Sequence, residues 1–373
     1  MRVLIAGGGT GGHFYPALAV MEALTKRHPN VKLAYVGTRR GIEARILPSY
    51  QWIRFFPIHA RGLDRGRFLE NLWALALVLV GTLESLFAFL RFRPQVVIGM
   101  GGYASFPAVL VGVILGKVLP IRTLIHEQNA VPGLTNRLLS GLVDRVLVSY
   151  KSTRQALPAS KRLSVTGNPI RTEFLLAKRT EALYARFGLD PHRKTILVFG
   201  GSQGSDALTT AVVQAREAIA RNERVQVLLV TGSHAEADEI RTAFTQAGAR
   251  NVVIHRYIER MGEAFALADL IVSRAGATTL AEITSCGKPA LLVPWDGAAG
   301  GHQWANAQEL SAAGGCLLAK EGAGLDRALD RMIRQMLTGE ETLVRMGRNA
   351  ARFGRRGATL LILREIEAVA GEA

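Results

Sequence analysis

Short apolar runs that lead into glycine-rich turns recur along the chain, and each is followed by a segment with helical spacing. The first unit joins an apolar run at residues 3–6 to a glycine turn at residues 7–13 and a helical segment at residues 16–24. The pattern returns with an apolar run at residues 195–199 and a glycine turn at residues 200–205. A buried strand followed by a turn and a helix is typical of α/β proteins. The repeat therefore predicts two α/β halves, each with a parallel sheet.

Further strand-like runs alternate with helical segments in both halves, as a doubly wound parallel sheet requires. They lie at residues 33–36, 96–99, 123–125 and 146–148 in the first half and at residues 225–230, 270–272 and 290–293 in the second. A glycine and an Asn-Pro step interrupt the periodicity at residues 167–169. We therefore predict one domain at residues 1–167 and a second at residues 168–349, with a helical C-terminal segment that is free to pack on either.

The nineteen residues from 72 to 90 form the most apolar long segment, with Glu84 as their only charged residue. By length the segment admits a transmembrane helix. The alternatives are a helix packed on the sheet, which Gly81, Thr82 and Ser85 favour, and an interfacial helix partly inserted in lipid. The flanking arginines suit anionic headgroups; they are Arg61, Arg65, Arg67, Arg91 and Arg93.

Composition and charge narrow the classes of protein. The chain has 373 residues, of which 49% are apolar and 20% charged, so it is not a disordered protein, and its length suggests two domains. Residues 1–170 hold 21 Lys and Arg against 7 Asp and Glu, a net charge of +14, whereas residues 171–373 hold 25 against 23, a net charge of +2. Such a bias suits nucleic acid, an anionic membrane surface or a phosphorylated ligand. Only two cysteines and no signal-peptide pattern predict a cytoplasmic location.

The first glycine turn matches the dinucleotide fingerprint Gly7-x-Gly9-x-x-Gly12, which makes an NAD-dependent enzyme the rival hypothesis. That fingerprint also requires an acidic residue at the end of the second strand, to bind the ribose hydroxyls. Here the second strand-like run ends in Val-Gly-Thr-Arg-Arg at residues 36–40, without an acid. The turn and the helix start that follows it therefore favour a phosphate or another anion.

Two more glycine clusters follow strand-like runs, at residues 99–105 and 200–204. Polar side chains lie between these clusters, namely His126, Glu127, Gln128, Asn129, Asn168, Arg171, Arg274, Glu282, His302, Gln303 and Asn306. Carboxylates and amides suit sugar hydroxyls, and a guanidinium suits phosphate. Because the sequence carries no metal-ligand motif, we expect backbone dipoles and arginine to stabilise a phosphate leaving group, with no metal and no cofactor.

Seven motifs occur in a recognisable order over nearly the whole chain. They are GGTGGH at residues 8–13, GGY at 101–103 with Ser105 and Pro107, HEQN at 126–129, GNPIR at 167–171, GGSQG at 200–204, RAGATTLAE at 274–282 and HQWANA at 302–307. With these motifs the sequence resembles the MurG family, the N-acetylglucosaminyltransferases that complete lipid II in bacterial peptidoglycan synthesis.

The resemblance implies a GT-B fold, in which two Rossmann-like domains with parallel sheets face an interdomain cleft and the helix at residues 350–373 packs back on the first domain. It also implies inverting transfer of GlcNAc from UDP-GlcNAc to the C4 hydroxyl of undecaprenyl-diphospho-MurNAc-pentapeptide, which is lipid I. It implies a peripheral location on the cytoplasmic face of the bacterial plasma membrane. The implied partners are lipid I, an anionic membrane surface and other proteins of cell-wall synthesis, and nucleic acid is not among them.

The resemblance also implies a set of site residues. The implied donor residues are Thr10, Gly11, Gly12, Asn129, Arg171, Ser202, Ile258 at the uracil edge, Ala277, Thr278, Thr279, Leu280, Ala281, Glu282 on the ribose, and Gln303 on the sugar. The acceptor diphosphate is expected at Gly101, Gly102 and Tyr103. A base must take the proton of the C4 hydroxyl. His13 and Glu127 are the candidates, and we prefer His13 because its loop faces the acceptor phosphate.

Three other functions compete with this one. A UDP-GlcNAc 2-epimerase has the same fold and needs no lipid acceptor. A nucleic-acid-binding protein is expected to interleave its basic residues with aromatic ones on one face, whereas the basic residues here are dispersed. A membrane scaffold without enzymatic activity would leave the donor motifs without a purpose.

Overall fold

The computed structural model describes residues 1–62, 68–157, 162–201, 204–232, 237–322 and 324–372. The chain forms two compact units. Unit 1 contains Met1–Arg171 and Arg356–Ala373, and unit 2 contains Thr172–Arg355. The change from unit 1 to unit 2 thus falls after Arg171, and the chain returns to unit 1 at Arg356.

Unit 1 is built on a seven-stranded sheet with the order β3-β2-β1-β4-β5-β6-β7, in which every neighbouring pair is parallel. The strands are β1 (Arg2–Ala6), β2 (Lys32–Thr38), β3 (Ile53–Ile58), β4 (Val96–Gly99), β5 (Arg122–Glu127), β6 (Arg145–Val148) and β7 (Leu163–Val165). The helices are α1 (Gly11–Arg27), α2 (Ile42–Ile46), α3 (Phe68–Phe92), α4 (Ser105–Leu115) and α5 (Leu134–Leu139), with 3-10 turns at Leu47–Ser49 and Ser152–Ala156.

Unit 2 is built on a six-stranded parallel sheet with the order β10-β9-β8-β11-β12-β13. Its strands are β8 (Lys194–Phe199), β9 (Val225–Val230), β10 (Val252–His255), β11 (Leu270–Ser273), β12 (Ala290–Leu292) and β13 (Leu317–Leu318). Its helices are α6 (Glu173–Leu176), α7 (Glu181–Phe187), α8 (Asp206–Gln214), α9 (Arg216–Ala220), α10 (Ala237–Gln246), α11 (Met261–Leu267), α12 (Ala277–Cys286), α13 (His302–Ala312), α14 (Leu325–Thr338) and α15 (Glu340–Phe353), with a 3-10 turn at Ala299–Gly301. The last helix, α16 (Ala358–Gly371), belongs to unit 1.

Both faces of the unit 1 sheet are buried, because side chains alternate from face to face along each strand. On β1, Val3 and Ile5 point into one apolar cluster, and Leu4 and Ala6 point into another. The first cluster is covered by α1 and α16, and the second by α3 and α4. The near-continuous apolar runs of the sequence thus reflect strands that are buried on both sides.

The six strands of unit 2 have the same order as the first six strands of unit 1. The helices that cover the two sheets differ. In unit 2, Ile196 and Val198 of β8 enter a cluster formed with α8, α14 and neighbouring helices. On β8 the ring of Phe199 lies 5.7 Å from the ring of Phe265 in α11. Phe265 in turn meets Phe174 of α6 edge to face, at a centroid distance of 4.9 Å.

Some of the elements predicted from the sequence differ from those observed. Strands β3, β7, β10 and β13 were not predicted, and β5 extends to Glu127, so His126 and Glu127 end the strand instead of following it. Helix α1 begins at Gly11, ahead of the predicted start at Pro16. Because proline is frequent in the first helical turn and glycine is a weak helix former, the pattern places that start too late.

The apolar segment predicted at residues 72–90 lies within α3, which packs on β3 and α4. Among the residues that the structure describes, no helix has the length and apolar character needed to cross a membrane.

Candidate functional site

The strand order of each unit reverses at one place, which is where α/β proteins of this kind bind ligands. In unit 1 the reversal lies between β1 and β4, whose ends lead into the glycine turns at residues 7–10 and 100–104. In unit 2 it lies between β8 and β11, whose ends lead into the turn at residues 200–205 and the start of α12. The sequence-predicted glycine turns therefore lie at the two ligand-binding edges.

A buried carboxylate supports the first glycine turn of unit 1. Glu43 of α2 is fully buried, and its Oε1 accepts hydrogen bonds from the Thr38 backbone N and hydroxyl, both at 2.7 Å, and from the Gly9 N at 3.4 Å. Gly8 and Gly41 lie so close to this carboxylate that neither has room for a Cβ. Glu43 is thus the acidic side chain that follows the second strand. It supports the first glycine turn instead of binding a ribose.

The second glycine turn of unit 1 lies against the first. Gly101 and Gly102 have φ angles of +85° and +76°, in the left-handed region that favours glycine. A Cβ on Gly102 would lie 2.5 Å from the Gly8 carbonyl oxygen, and one on Gly9 would lie 2.8 Å from the Tyr103 hydroxyl. The structure therefore brings the residues predicted for the acceptor diphosphate next to those of the first turn.

His13 lies in the first turn of α1 and contacts both the second glycine turn and the end of β5. A Cβ on Gly101 would lie 3.0 Å from its Nδ1. The Nδ1 atom is 3.2 Å from Oε1 of Gln128, a side chain that is almost completely buried. Gln128 also donates to the Met100 carbonyl at 2.7 Å and approaches Nδ1 of His126 at 3.2 Å.

His126 is fully buried beneath these groups. Its Nε2 lies 2.9 Å from the Gly167 carbonyl. Burial lowers the pKa of His126 to about 4, with the hydrogen bond to Gly167 raising it and the charge of His13 lowering it. His126 is therefore neutral at neutral pH.

Glu127, the second candidate for the base, is buried and engaged in four hydrogen bonds. Its Oε1 accepts from the backbone N and the side chain of Asn129, at 2.9 and 3.2 Å. Its Oε2 accepts from the Gly133 N at 3.0 Å and from the Asn136 side chain at 2.8 Å. These bonds close the loop after β5 and fix Asn129, one of the predicted donor residues.

The other predicted residues of unit 1 lie close to the same edge. Thr10 precedes α1 and is exposed, Gly11 is buried and Gly12 is exposed. The guanidinium of Arg171 stacks on the ring of Tyr15 from α1, 4.5 Å from its centroid. This cation–π contact holds Arg171, which is predicted to bind phosphate, beside the helix that carries His13.

In unit 2 the glycine turn after β8 has two left-handed residues, Gly201 at φ +86° and Gly204 at φ +83°. Ser202, the predicted donor residue between them, lies outside the described residues. Ser205 caps α8 by accepting a hydrogen bond from the Leu208 N. The turn thus ends at a helix N-terminus, which favours an anion.

Helix α12 begins at the carboxyl end of β11, with Gly276 as its N-cap. It carries the predicted donor residues Ala277, Thr278, Thr279, Leu280, Ala281 and Glu282. Ala277, Leu280 and Glu282 are buried, and Glu282 is only 6% exposed. The start of α12 thus presents backbone N–H groups, and Glu282 lies in the second turn of the helix.

The predicted sugar-binding residue Gln303 links the loops of unit 2. Its Oε1 accepts hydrogen bonds from the Trp295 N at 3.0 Å and the Ala275 N at 3.3 Å. The nearby Asn306 donates to the Ala275 carbonyl at 3.3 Å. Ile258, predicted at the uracil edge, is buried just after β10. Gln303 therefore joins the loop before α12 to the loop after β12.

The sequence does not single out Glu43 and Gln128 for these roles. Glu43 is an isolated acid in a short helix, and Gln128 is one of several polar residues at the end of β5. Their partners, Gly9 for one and His13 for the other, lie far away along the chain. Among the described residues, no group of three or more histidine, cysteine or acidic side chains is arranged to hold a metal ion.

Two Rossmann-like units with parallel sheets and glycine turns at the points where the strand order reverses are the architecture of GT-B glycosyltransferases. The chain belongs to glycosyltransferase family 28. The model of that family's N-terminal domain matches residues 3–148, and the model of its C-terminal domain matches residues 195–361.

Individual relatives agree with this assignment. The chain is 39% identical over 377 residues to the UDP-N-acetylglucosamine–N-acetylmuramyl-(pentapeptide) pyrophosphoryl-undecaprenol N-acetylglucosamine transferase of Desulforudis audaxviator, covering 100% of this chain and 99% of that protein. The crystal structure of Acinetobacter baumannii MurG matches with a TM-score of 0.74 and 26% identity, over 98% of this chain and 99% of that one. UDP-GlcNAc 2-epimerase from Neisseria meningitidis matches with a TM-score of 0.68 at 16% identity, over 99% and 100% of the two chains, which is a likeness of fold alone.

Proposed function

We propose that the protein transfers GlcNAc from UDP-GlcNAc to the C4 hydroxyl of undecaprenyl-diphospho-MurNAc-pentapeptide, with inversion at the anomeric carbon and without a metal ion. The names of full-length relatives at 39% identity support this substrate pair. The observation that carries the proposal is the position of His13, which lies where the two glycine turns of unit 1 meet. A base there has turns suited to phosphate on both sides.

Unit 1 is the acceptor-binding unit in this proposal. The turn that contains Gly101, Gly102 and Tyr103 offers backbone N–H groups to the acceptor diphosphate, and Tyr103, a residue that is 37% exposed, adds a hydroxyl. Unit 1 also contains most of the excess positive charge, since residues 1–170 have a net charge of +14. A lipid-linked diphosphate is the kind of anion that such a region attracts.

Unit 2 is the donor-binding unit. The N-terminus of α12 and the turn after β8 suit the pyrophosphate, and Glu282 suits the ribose hydroxyls. As UDP leaves, charge on its phosphate grows, and charge-assisted hydrogen bonds of about 1.5–3 kcal/mol each stabilise it. Ser202 and Arg171 are included in this donor set by the sequence match.

His13 is the base that we propose, and Glu127 has a positioning role. Each carboxylate oxygen of Glu127 already accepts two hydrogen bonds, which direct its lone pairs at Asn129, Gly133 and Asn136. His13 is partly exposed at the edge of the glycine turns. The C4 oxygen forms its bond to the anomeric carbon as its proton moves to His13, and the carbon–oxygen bond to UDP breaks with its electron pair on UDP.

We further propose that unit 1 binds an anionic membrane surface from the cytoplasmic side. Leu79, Leu83, Phe87 and Leu90 recur at helical spacing along α3 and are exposed, and we call them the apolar face of α3. Exposed apolar residues continue on the neighbouring helices α4 and α5 with Ile114, Leu134 and Leu138. Exposed basic residues lie among them, namely Arg91, Lys117 and Arg137. Apolar side chains with basic neighbours suit an interfacial site.

An assay of UDP release tests the reaction. We expect the purified protein to release UDP from UDP-GlcNAc only when a lipid I analogue is supplied, and EDTA to leave the rate unchanged. A requirement for Mn²⁺, or no turnover with any lipid acceptor, would contradict the proposal. Conversion of UDP-GlcNAc without any acceptor would instead identify an epimerase.

Co-sedimentation with vesicles tests the membrane surface. We expect the protein to bind vesicles that contain phosphatidylglycerol, and added salt to weaken the binding because it screens the basic residues. The double variant Leu83→Ser/Phe87→Ser should bind less. Val344→Ser, which changes an exposed apolar residue of α15 in unit 2, is the matched control. Equal binding of both variants would remove the apolar face of α3 from the membrane site.

A further inference from the structure

Behind His13, hydrogen bonds link the side chains of Gln128 and His126, and each of these two side chains also donates to a backbone carbonyl. The chain of hydrogen bonds runs from His13 to Gln128, from Gln128 to the Met100 carbonyl and to His126, and from His126 to the Gly167 carbonyl. Carbonyl oxygens only accept hydrogen bonds, so each of them determines where a hydrogen must be. The positions of the hydrogens along the chain therefore follow from the chemistry of the partners.

The Met100 carbonyl fixes the orientation of the Gln128 amide. An atom of Gln128 lies 2.7 Å from this carbonyl oxygen, and only the NH₂ group can donate to it. The amide oxygen Oε1 must then point the other way, where Nδ1 of His13 lies 3.2 Å away. Because Gln128 is buried, the reversed amide would place two oxygens in contact without water to separate them.

The Gly167 carbonyl fixes the tautomer of His126 and supports the same orientation. Nε2 of His126 must carry a hydrogen to donate to Gly167 at 2.9 Å, so in the neutral ring Nδ1 has the lone pair. This lone pair accepts the second hydrogen of the Gln128 NH₂ group at 3.2 Å. Burial keeps His126 neutral, since it lowers the pKa of this residue to about 4.

We propose that Gln128 is a positioning residue that holds His13 in the tautomer with the hydrogen on Nδ1, so that the lone pair for the acceptor's C4 proton lies on Nε2. Oε1 of Gln128 is an acceptor and requires a hydrogen on Nδ1. The inference rests on the proposed function, in which His13 is the base. When the C4 proton reaches Nε2, the imidazolium keeps its Nδ1–H bond to the amide oxygen, and the amide does not compete for the proton as a carboxylate could.

The first test measures the two tautomers directly and requires no turnover. In the wild-type protein labelled with ¹⁵N-histidine, long-range ¹H–¹⁵N correlation spectra should show His13 protonated on Nδ1 and His126 protonated on Nε2. Gln128→Leu should remove the preference of His13, while His126, still bound to Gly167, keeps its tautomer. A wild-type His13 with its hydrogen on Nε2 would overturn the proposal, whatever the variant does.

The second test separates positioning through His13 from a general structural effect. Gln128→Leu should lower kcat by about 10- to 100-fold, part of the 10²–10⁴ that a base contributes, and leave KM for UDP-GlcNAc within about twofold. In a His13→Ala background the same change should lower kcat by less than about twofold, because the base is already absent. A full additional loss in that background would overturn the proposal.

The matched control is Gln226→Leu in unit 2. Gln226 is also buried, donates to the Asp190 carbonyl and the Thr195 hydroxyl, and accepts from the Asp190 N, but it lies on β9 away from the glycine turns. We expect its kcat per folded molecule to stay within about twofold of the wild type. If the wild-type protein releases no UDP with lipid acceptors, the proposed function fails, and the spectra still decide whether Gln128 sets the tautomer.

Discussion

The two ligand-binding edges of the protein have the same backbone design and different side chains. In both units a central strand leads into a glycine turn and a helix, and the strand order reverses beside it. The edge of unit 1 holds buried polar side chains that hydrogen-bond to its loops, among them Glu43, His126 and Glu127. The edge of unit 2 relies on the start of α12 and on the amide of Gln303.

This difference separates two tasks that a shared fold can perform. Glycine turns and helix N-termini suffice to bind phosphate, and both units have them. Moving a proton requires in addition a side chain whose lone pair is held toward that proton, and holding it there requires buried partners. The hydrogen-bond chain behind His13 supplies them in unit 1. The comparison predicts that substitution of His13 or of its buried partners in unit 1 changes the rate, and that substitution at the start of α12 in unit 2 changes donor affinity.

The largest expected effect is that of His13→Ala. We expect kcat to fall by about 10²–10⁴-fold because the base is lost, while the dissociation constant of UDP-GlcNAc changes by less than about twofold. Steady-state kinetics and calorimetric titration with UDP-GlcNAc measure the two quantities. If this variant turned over at the wild-type rate, another group would be the base, and the proposed division of proton transfer and donor binding between the units would be wrong.

The stability of unit 1 should depend on pH through His126. Its folded-state pKa of about 4 lies below the ordinary value of 6.5, so between these values the unfolded chain binds a proton that the folded one does not. Stability is therefore fully present above pH 6.5 and decreases by about 3 kcal/mol as the pH falls to 4.

Amide hydrogen exchange resolves this pH effect by unit. Unit 1 of the wild type should lose protection across that pH window, and His126→Leu should lose less of it over the same window than the wild type does. Unit 2 serves as the internal reference. An equal pH slope in wild type and variant would show that His126 is not the group responsible.

A matched pair of glycine substitutions compares the turns of the two units. Gly102→Ala and Gly201→Ala both place alanine in the left-handed region, at a cost of about 1–2 kcal/mol each. Gly102 lies against the Gly8 carbonyl and His13, whereas a Cβ on Gly201 meets no atom of the described residues within 4 Å. We expect Gly102→Ala to destabilise its unit more and to lower kcat as well, in hydrogen-exchange and turnover measurements. Equal effects would mean that the contact between the two turns of unit 1 does not matter.

The smallest expected effect is on donor affinity in unit 2. Glu282→Ala should weaken UDP-GlcNAc binding by at least about 1 kcal/mol, because the ribose hydroxyls lose an acceptor. Its kcat at saturating donor should change much less than that of His13→Ala. Titration of UDP-GlcNAc measures the affinity, and an unchanged dissociation constant would remove Glu282 from the donor site.

The sequence predicts the central strands and the glycine turns because these strands are continuous apolar runs followed by glycine. It does not predict β3, where Arg54 and Pro57 interrupt the apolar pattern of an edge strand. It also does not predict β13, which is only two residues long. Interior strands can thus be predicted from the sequence, whereas the formation of edge strands depends on tertiary contacts.

The candidate site divides in the same way. The glycine motifs and the polar residues of the motifs are visible as local patterns. The support of Gly9 by Glu43 and of His13 by Gln128 depends on residues that are distant in sequence, so no local pattern reveals it. Nor does the sequence reveal that Glu127 uses both oxygens within its own loop.

The return of α16 to unit 1 has a consequence for how the protein is made. Ile362, Ile366 and Val369 are fully buried in the same apolar cluster as Val3 and Phe14, and Glu367 pairs with Arg27 and His28. A ribosome delivers residues in order, so unit 1 lacks the helix that covers one face of its sheet until α16 is synthesised, after all of unit 2. Unit 2, whose residues are contiguous, has all its parts earlier. Nascent unit 1 therefore exposes the apolar surface of this cluster until α16 has been synthesised.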